Sequence, residues 1–181
     1  DFRNIRANGL IAMKLEEEGE KLVSVKIARE DEDIQIASAN GKAIRFPVSD
    51  IRVFAGRTST GVRGIKLGKG DEVISLSILK HVEATPEERT AYLKAASKLR
   101  GVEEGVEFEE GGDMQLSEAR FKDMQEKEQF ILSVTNKGFG KRTSAYEYRI
   151  SGRGGQGVTN MGLTAKNGGH IVASFPVTDD H

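Results

Sequence analysis

Arg57-Thr58-Ser59-Thr60-Gly61-Val62-Arg63-Gly64-Ile65-Lys66-Leu67 holds an arginine, then a glycine followed by an apolar residue, then two more apolar residues in alternation. The same pattern returns in Arg153-Gly154-Gly155-Gln156-Gly157-Val158-Thr159-Asn160-Met161-Gly162-Leu163 and in Arg6-Ala7-Asn8-Gly9-Leu10-Ile11-Ala12-Met13-Lys14-Leu15. A period of two after a glycine predicts a strand entered through a tight turn. A few polar residues beyond each copy lies a second strand candidate: Lys21 to Ala28, Glu72 to Leu79 and His170 to Val177.

The rest of the unit recurs as well. Ala37-Ser38-Ala39-Asn40-Gly41-Lys42-Ala43-Ile44-Arg45-Phe46 aligns with Val134-Thr135-Asn136-Lys137-Gly138-Phe139-Gly140-Lys141-Arg142-Thr143. Asn-Gly between alternating segments is a strong hairpin signal. Arg45 and Arg142 keep their place after the turn glycine, and Asp50 and Glu147 keep theirs beyond the arginine. The unit therefore reads strand, strand, hairpin, strand, with turn glycines at Gly9, Gly61, Gly157, Gly41 and Gly138. Small sheets repeated at a period of about 50 residues predict an all-β, propeller-like array of four-stranded blades.

From Gly9 to Gly61 is 52 residues and from Gly61 to Gly157 is 96, so the second unit carries 44 more. The excess is helical and acidic. Thr85-Pro86-Glu87-Glu88 is a capping box with proline at the first helical position, and Tyr92, Ala95, Ala96 and Leu99 share one face before Gly101. The Gly- and Glu-rich stretch Val102 to Asp113 is expected to be a mobile loop, and Ser117 to Met124 a second short helix. The expected units are a blade over 1–56 that starts inside the preceding blade's edge, a blade over 57–151 interrupted at about 80–126, and part of a third over 152–181. The chain begins without Met inside a patterned segment, as expected of a piece of something longer.

The 181 residues are 37% hydrophobic and 30% charged, enough apolar content for a core, with 21 glycines suited to many turns. Without cysteine there is no disulfide, thiolate nucleophile or Cys-ligated metal, and the reading is a reducing cytoplasm. No apolar run is long enough for a membrane span or a secretion signal. The net charge of −1 conceals an uneven distribution. Residues 80–126 hold seven Lys/Arg against twelve Asp/Glu, which leaves twenty against sixteen in the remainder. The acidity sits in the insertion, and the blades are basic.

Basic residues fall at matched places in the repeat: Arg57, Arg63, Lys66, Lys42, Arg45, Lys141, Arg142, Arg149 and Arg153. Blades set side by side would align these into a track for sequence-blind contact with phosphates. Arg45 and Arg142 have a structural alternative, pairing with Asp50 or Glu147. Gly152-Arg153-Gly154-Gly155-Gln156-Gly157 satisfies the dinucleotide fingerprint G-x-G-x-x-G, but a strand pattern rather than a helix follows it. His81, His170 and His181 have no metal-ligand spacing. Tyr92, Tyr146 and Tyr148 sit in no nucleophile motif, and no catalytic residue is expected.

Thr60-Gly61-Val62-Arg63-Gly64-Ile65-Lys66-Leu67 with Asp71-Glu72-Val73-Ile74-Ser75, and Asn136 to Thr143, resemble the C-terminal domain of the bacterial DNA gyrase A subunit. The likeness covers residues 1 to about 79 and 128 to 178. It implies a β-pinwheel whose basic rim wraps duplex DNA for an ATP-dependent type II topoisomerase that supercoils DNA negatively. It further implies two partners in a heterotetramer, the rest of the gyrase A subunit together with the gyrase B subunit. It also implies the bacterial cytoplasm and nucleoid as location, and ATP and Mg2+ as requirements of the holoenzyme, with no cofactor here. The family's Gln/Arg- and Gly-rich box of the first blade is echoed only in degenerate form by Gly152 to Gly157. Rival readings are the C-terminal domain of the topoisomerase IV A subunit, or a propeller-like protein-interaction module. The acidic insertion, to which the resemblance assigns nothing, is expected to compete with DNA for the basic rim.

Overall fold

The Asn40-Gly41 turn folds β1 (Glu32–Ser38) onto β2 (Lys42–Pro47), with Ile36 opposite Ile44 and Gln35 opposite Arg45. The computed structural model that shows this describes residues 4–101 and 114–178, so the loop expected over Val102 to Asp113 lies outside the described residues. β3 (Val73–Lys80) joins the free side of β1. The insertion follows as α1 (Pro86–Arg100) and α2 (Glu118–Lys127). A second hairpin, β4 (Phe130–Thr135) with β5 (Gly140–Ser144), turns at Gly138. β6 (Val158–Thr159) then returns to the outer side of β2, and β7 (Ile171–Val177) lies beside β4. The two sheets are thus ordered β3-β1-β2-β6 and β5-β4-β7.

The internal repeat extends to irregularities. The β1–β3 register slips between Ala37 and Ser38, and the β4–β7 register slips between Val134 and Thr135. At each slip a hydroxyl accepts a backbone N–H from across the turn: Ser38 Oγ from Lys42 and Thr135 Oγ1 from Phe139, both at 3.3 Å. Each hairpin then runs into one 3-10 turn, Val48–Asp50 and Ala145–Glu147.

β1 is buried on both faces. Ile34, Ile36, Ile44 and Phe46 gather with Ile65 on one side of the first sheet. On the other, Ala37, Ala43 and Leu79 meet Ile131, Ala145 and Tyr148 of the second hairpin. Each fully buried large side chain here contributes roughly 1.5–3 kcal/mol. Polar side chains also lie between the sheets: Asn160 Oδ1 accepts from Ser133 Oγ (3.1 Å) and from the Tyr148 hydroxyl (2.5 Å). Burial pushes the Tyr148 hydroxyl up to about 12, so it stays a donor.

Several strand expectations require correction. Of the three Arg-Gly copies, only the one at Val158–Thr159 enters a ladder; residues 6–15 and 57–67 are irregular. Lys21 to Ala28 forms no strand either, and Val25 and Ile27 are 73% and 97% exposed. Alternation creates a strand only where a neighbour supplies hydrogen bonds, and among the described residues β2 does so for β6 alone of these segments. The sheets also group strands across the expected unit boundaries, because β3 and β6 both complete the sheet of β1 and β2.

The insertion folds as its capping signals dictate. Thr85 Oγ1 accepts from the Glu88 N–H while the Glu88 carboxylate accepts from the Thr85 N–H, and Gly101 closes α1 at φ 67°. Ser117 caps α2. Tyr92, Ala96 and Met124 pack on Val82 and Tyr146, and the Tyr146 hydroxyl donates to Met124 O at 2.9 Å. Leu99, placed on the same helical face as Tyr92 and Ala96, is 74% exposed. The helices are thereby fixed to the second hairpin's 3-10 turn by a third core.

Candidate nucleic-acid interface

β2 is the outer strand of its hairpin, and the chain leaving the second sheet runs along it as an arch. Ser151 N donates to Arg45 O (2.9 Å), and farther on Val158 and Thr159 pair with Ala43 and Lys42. Between these anchors residues 152–157 bulge outward to meet the segment around Arg63. Gly154 N donates to Gly64 O (2.7 Å), Lys66 N to Gly155 O (2.8 Å), and Arg153 Nη1 to Arg63 O (2.8 Å).

Gly157 makes the closure possible. Its φ is +72°, and a Cβ there would stand 2.2 Å from Ala43 O. The other glycines expected at turns, Gly9, Gly41, Gly61 and Gly138, also have positive φ. β6, not a helix, follows Gly152 to Gly157, so this loop does not open the helix that a dinucleotide fingerprint needs. The described residues contain no cluster of His, Cys, Asp or Glu able to hold a metal, and no helix among them is long and apolar enough to cross a membrane.

The arch gathers Lys42, Arg63, Lys66, Arg149 and Arg153 along one sheet edge, all exposed. Among the described residues, none of Lys42, Arg63, Lys66 and Arg149 pairs with a carboxylate. Arg153 has a second task, since its guanidinium also donates to Asp50 O at 3.3 Å and so ties the arch to the 3-10 turn. Lys141 and Arg142 belong to the second sheet, on β5, where Arg142 lies 4.0 Å over the Phe130 ring. Arg57 is exposed in the irregular stretch before the arch's partner segment.

Arg45 is a correction to the expected set. It is 3% exposed and cannot reach DNA. Its guanidinium donates to Asp33 Oδ2 (2.8 Å), Ala145 O (2.8 Å) and Lys80 O (3.0 Å), joining both hairpins and the end of β3. Its partner is neither Asp50 nor Glu147 but Asp33, which is fully buried. The signal for this was present: an Asn40-Gly41 hairpin sets Gln35 against Arg45, so Asp33 is Arg45's diagonal neighbour on the same face.

A protein-family model of the DNA gyrase C-terminal domain, a β-propeller, matches residues 1–29, 32–80 and 129–178. The chain belongs to this family. The second and third matches coincide with the strands of the two hairpins and their neighbours, ending at the last residue of β3 and resuming just before β4. The helical insertion is what the gyrase C-terminal domain model leaves unmatched. The DNA gyrase A subunit of Granulibacter bethesdensis is 53% identical over 98% of this chain and 20% of its own length. Its counterpart in Rickettsia bellii is 48% identical over 99% and 20%. The chain thus spans about a fifth of the curated relatives it matches. Among solved structures, the C-terminal domain of DNA topoisomerase IV superposes with a TM-score of 0.65 at 16% identity, over 98% of this chain and 41% of that one. That likeness is one of fold.

Proposed function

We propose that this chain holds duplex DNA against the outer edge of its first sheet, as a non-catalytic wrapping segment of a gyrase A subunit. The supporting observation is the arch, which brings Lys42, Arg63, Lys66, Arg149 and Arg153 from three separated stretches onto one exposed edge. Flexible cations on a rigid edge suit phosphates, which carry affinity without sequence preference. Lys141 and Arg142 on β5, with Arg57, would extend the track. The protein containing this chain is, on this reading, a bacterial cytoplasmic type II topoisomerase built from gyrase A and B polypeptides, which supercoils DNA at the expense of ATP with Mg2+. The chain's share is to bend and present DNA.

The test uses the full-length gyrase A polypeptide. Duplex DNA affinity should fall steeply with salt, with a log–log slope of about −0.9 per phosphate contact. Reversing charge at Lys42, Arg63 and Lys66 together should reduce that slope by about 3 while leaving the melting temperature intact. A folded triple variant with the wild-type slope would remove this edge from the interface. Arg153 is unsuitable for the same test, because its loss also releases the arch.

A further inference from the structure

The two hairpins turn by the same geometry. Gly41 N donates to Ser38 O and Gly138 N to Thr135 O, and in each case the N–H of the next residue, Lys42 or Phe139, reaches the hydroxyl of that Ser or Thr. The registers match as well, with Ala37 opposite Ala43 in one and Val134 opposite Gly140 in the other. Phe139 therefore occupies in the second hairpin the place that Lys42 holds in the first. One is a cation on the DNA-holding edge, and its counterpart is an aromatic ring. Phe139 is 43% exposed, and none of the three hydrophobic cores among the described residues includes it. A ring left in water gives folding little. Pairing of a further strand with this hairpin would not bury it, since Lys42 stays exposed although Thr159 pairs with it. The turn that carries the ring is held from outside: Asn136 Oδ1 accepts from Gly169 N (3.0 Å), and Lys137 Nζ donates to Ala165 O (2.6 Å).

We infer that the Phe139 ring is an apolar wedge that presses into a groove of the bound duplex, against sugar carbons and base edges, and bends it. The inference rests on the DNA-holding reading. Exposed lysines stand on either side of the ring in the chain, Lys137 in the turn and Lys141 on β5. They favour a polyanion over the apolar face of a protein, and the correspondence with Lys42 makes that polyanion the duplex. Cations hold the phosphates, and an apolar tip fixed between them meets the surface that lies between the two backbones. Side chains of this kind part a base step and kink the helix. The two turns thereby divide the work: the first holds a phosphate through Lys42, and the second bends what is held.

The experiment compares Phe139→Ala, Phe139→Leu and Phe139→Lys in the full-length polypeptide. Bending is read by energy transfer between the two labelled ends of a duplex, and phosphate contact by the dependence of affinity on salt. Phe139→Ala should reduce the bend by at least about 20° and leave the salt slope unchanged, because the ring meets no phosphate. Phe139→Leu should keep most of the bend, since an aliphatic side chain also serves as a wedge. Phe139→Lys should steepen the slope by about 0.9 without restoring the bend, as the residue of the first hairpin would. A wild-type bend in Phe139→Ala or in Phe139→Lys would overturn the inference, and so would Phe139→Leu bending no better than Phe139→Ala. A marked fall in the melting temperature of Phe139→Ala would also overturn it, by placing the ring in a packed interior of the whole polypeptide. If wild-type protein fails to bind duplex DNA, the broader reading falls. If reversal at Lys42, Arg63 and Lys66 weakens binding while Phe139→Ala bends DNA as wild-type does, only the wedge falls.

Discussion

Asp33 serves two cations at once. Its Oδ2 accepts from Arg45, and its Oδ1 stands 2.8 Å from Nδ1 of His81 at the end of β3. Removing Arg45 strands a buried carboxylate, so Arg45→Ala should cost about 3–5 kcal/mol, read by urea denaturation, whereas Arg63→Ala should cost under about 0.5. Equal effects of the two would refute the assignment of Arg45 to the core. His81 titrates above its ordinary 6.5, first because of its hydrogen bond to Asp33 and then that to Glu83. Folding therefore favours the imidazolium, whose contribution is complete below about pH 6.5 and disappears as pH rises through the raised folded value. His81→Gln should flatten the stability profile over that window; an unchanged profile would mean that His81 has no such role. The turn glycines and the basic matched positions were legible in the chain because each recurs. The sorting of those basic residues was not, since burial separates Arg45 from Lys42 and only tertiary packing decides burial.

Hairpins, the inserted helices and β7 were readable because each carries its own signal: a turn glycine, a helix cap, an alternating run. β6 was readable only in part. Its two residues become a strand because β2 offers an edge, and the sister copies at 6–15 and 57–67, equally patterned, stay irregular. Local sequence encodes a capacity for pairing, and the partner realises it. Gly157→Ala tests how tightly that pairing is closed. The methyl would meet Ala43 O at 2.2 Å in addition to the left-handed backbone, whereas Gly138, at φ +80°, has nothing within 4 Å. Gly157→Ala should cost roughly 3 kcal/mol and Gly138→Ala roughly 1, compared by thermal melting. Equal costs would mean that the arch yields freely.

On the scale of the molecule the insertion is part of the architecture rather than an appendage. Tyr92 and Tyr146 meet edge-on at 5.2 Å, with Met124 and Val82 completing the cluster. Deleting residues 82–125 would bare Tyr146, and the expected result is a domain destabilised by several kcal/mol rather than one that binds DNA more tightly. A deletion variant with wild-type melting temperature would contradict this. Composition located the insertion and its acidity, but nothing in the order of residues foretold that a blade tyrosine would be its anchor. The return of β6 to the first sheet bears on synthesis as well as on shape. A ribosome releases β1, β2 and β3 early, yet the outer edge of their sheet stays open until Thr159 has emerged to meet Lys42. Throughout that interval β2 is a nascent edge, exposed to any strand that arrives first. Its charges, Lys42 at the mouth of the turn above all, stand guard over the growing chain before they have any DNA to hold.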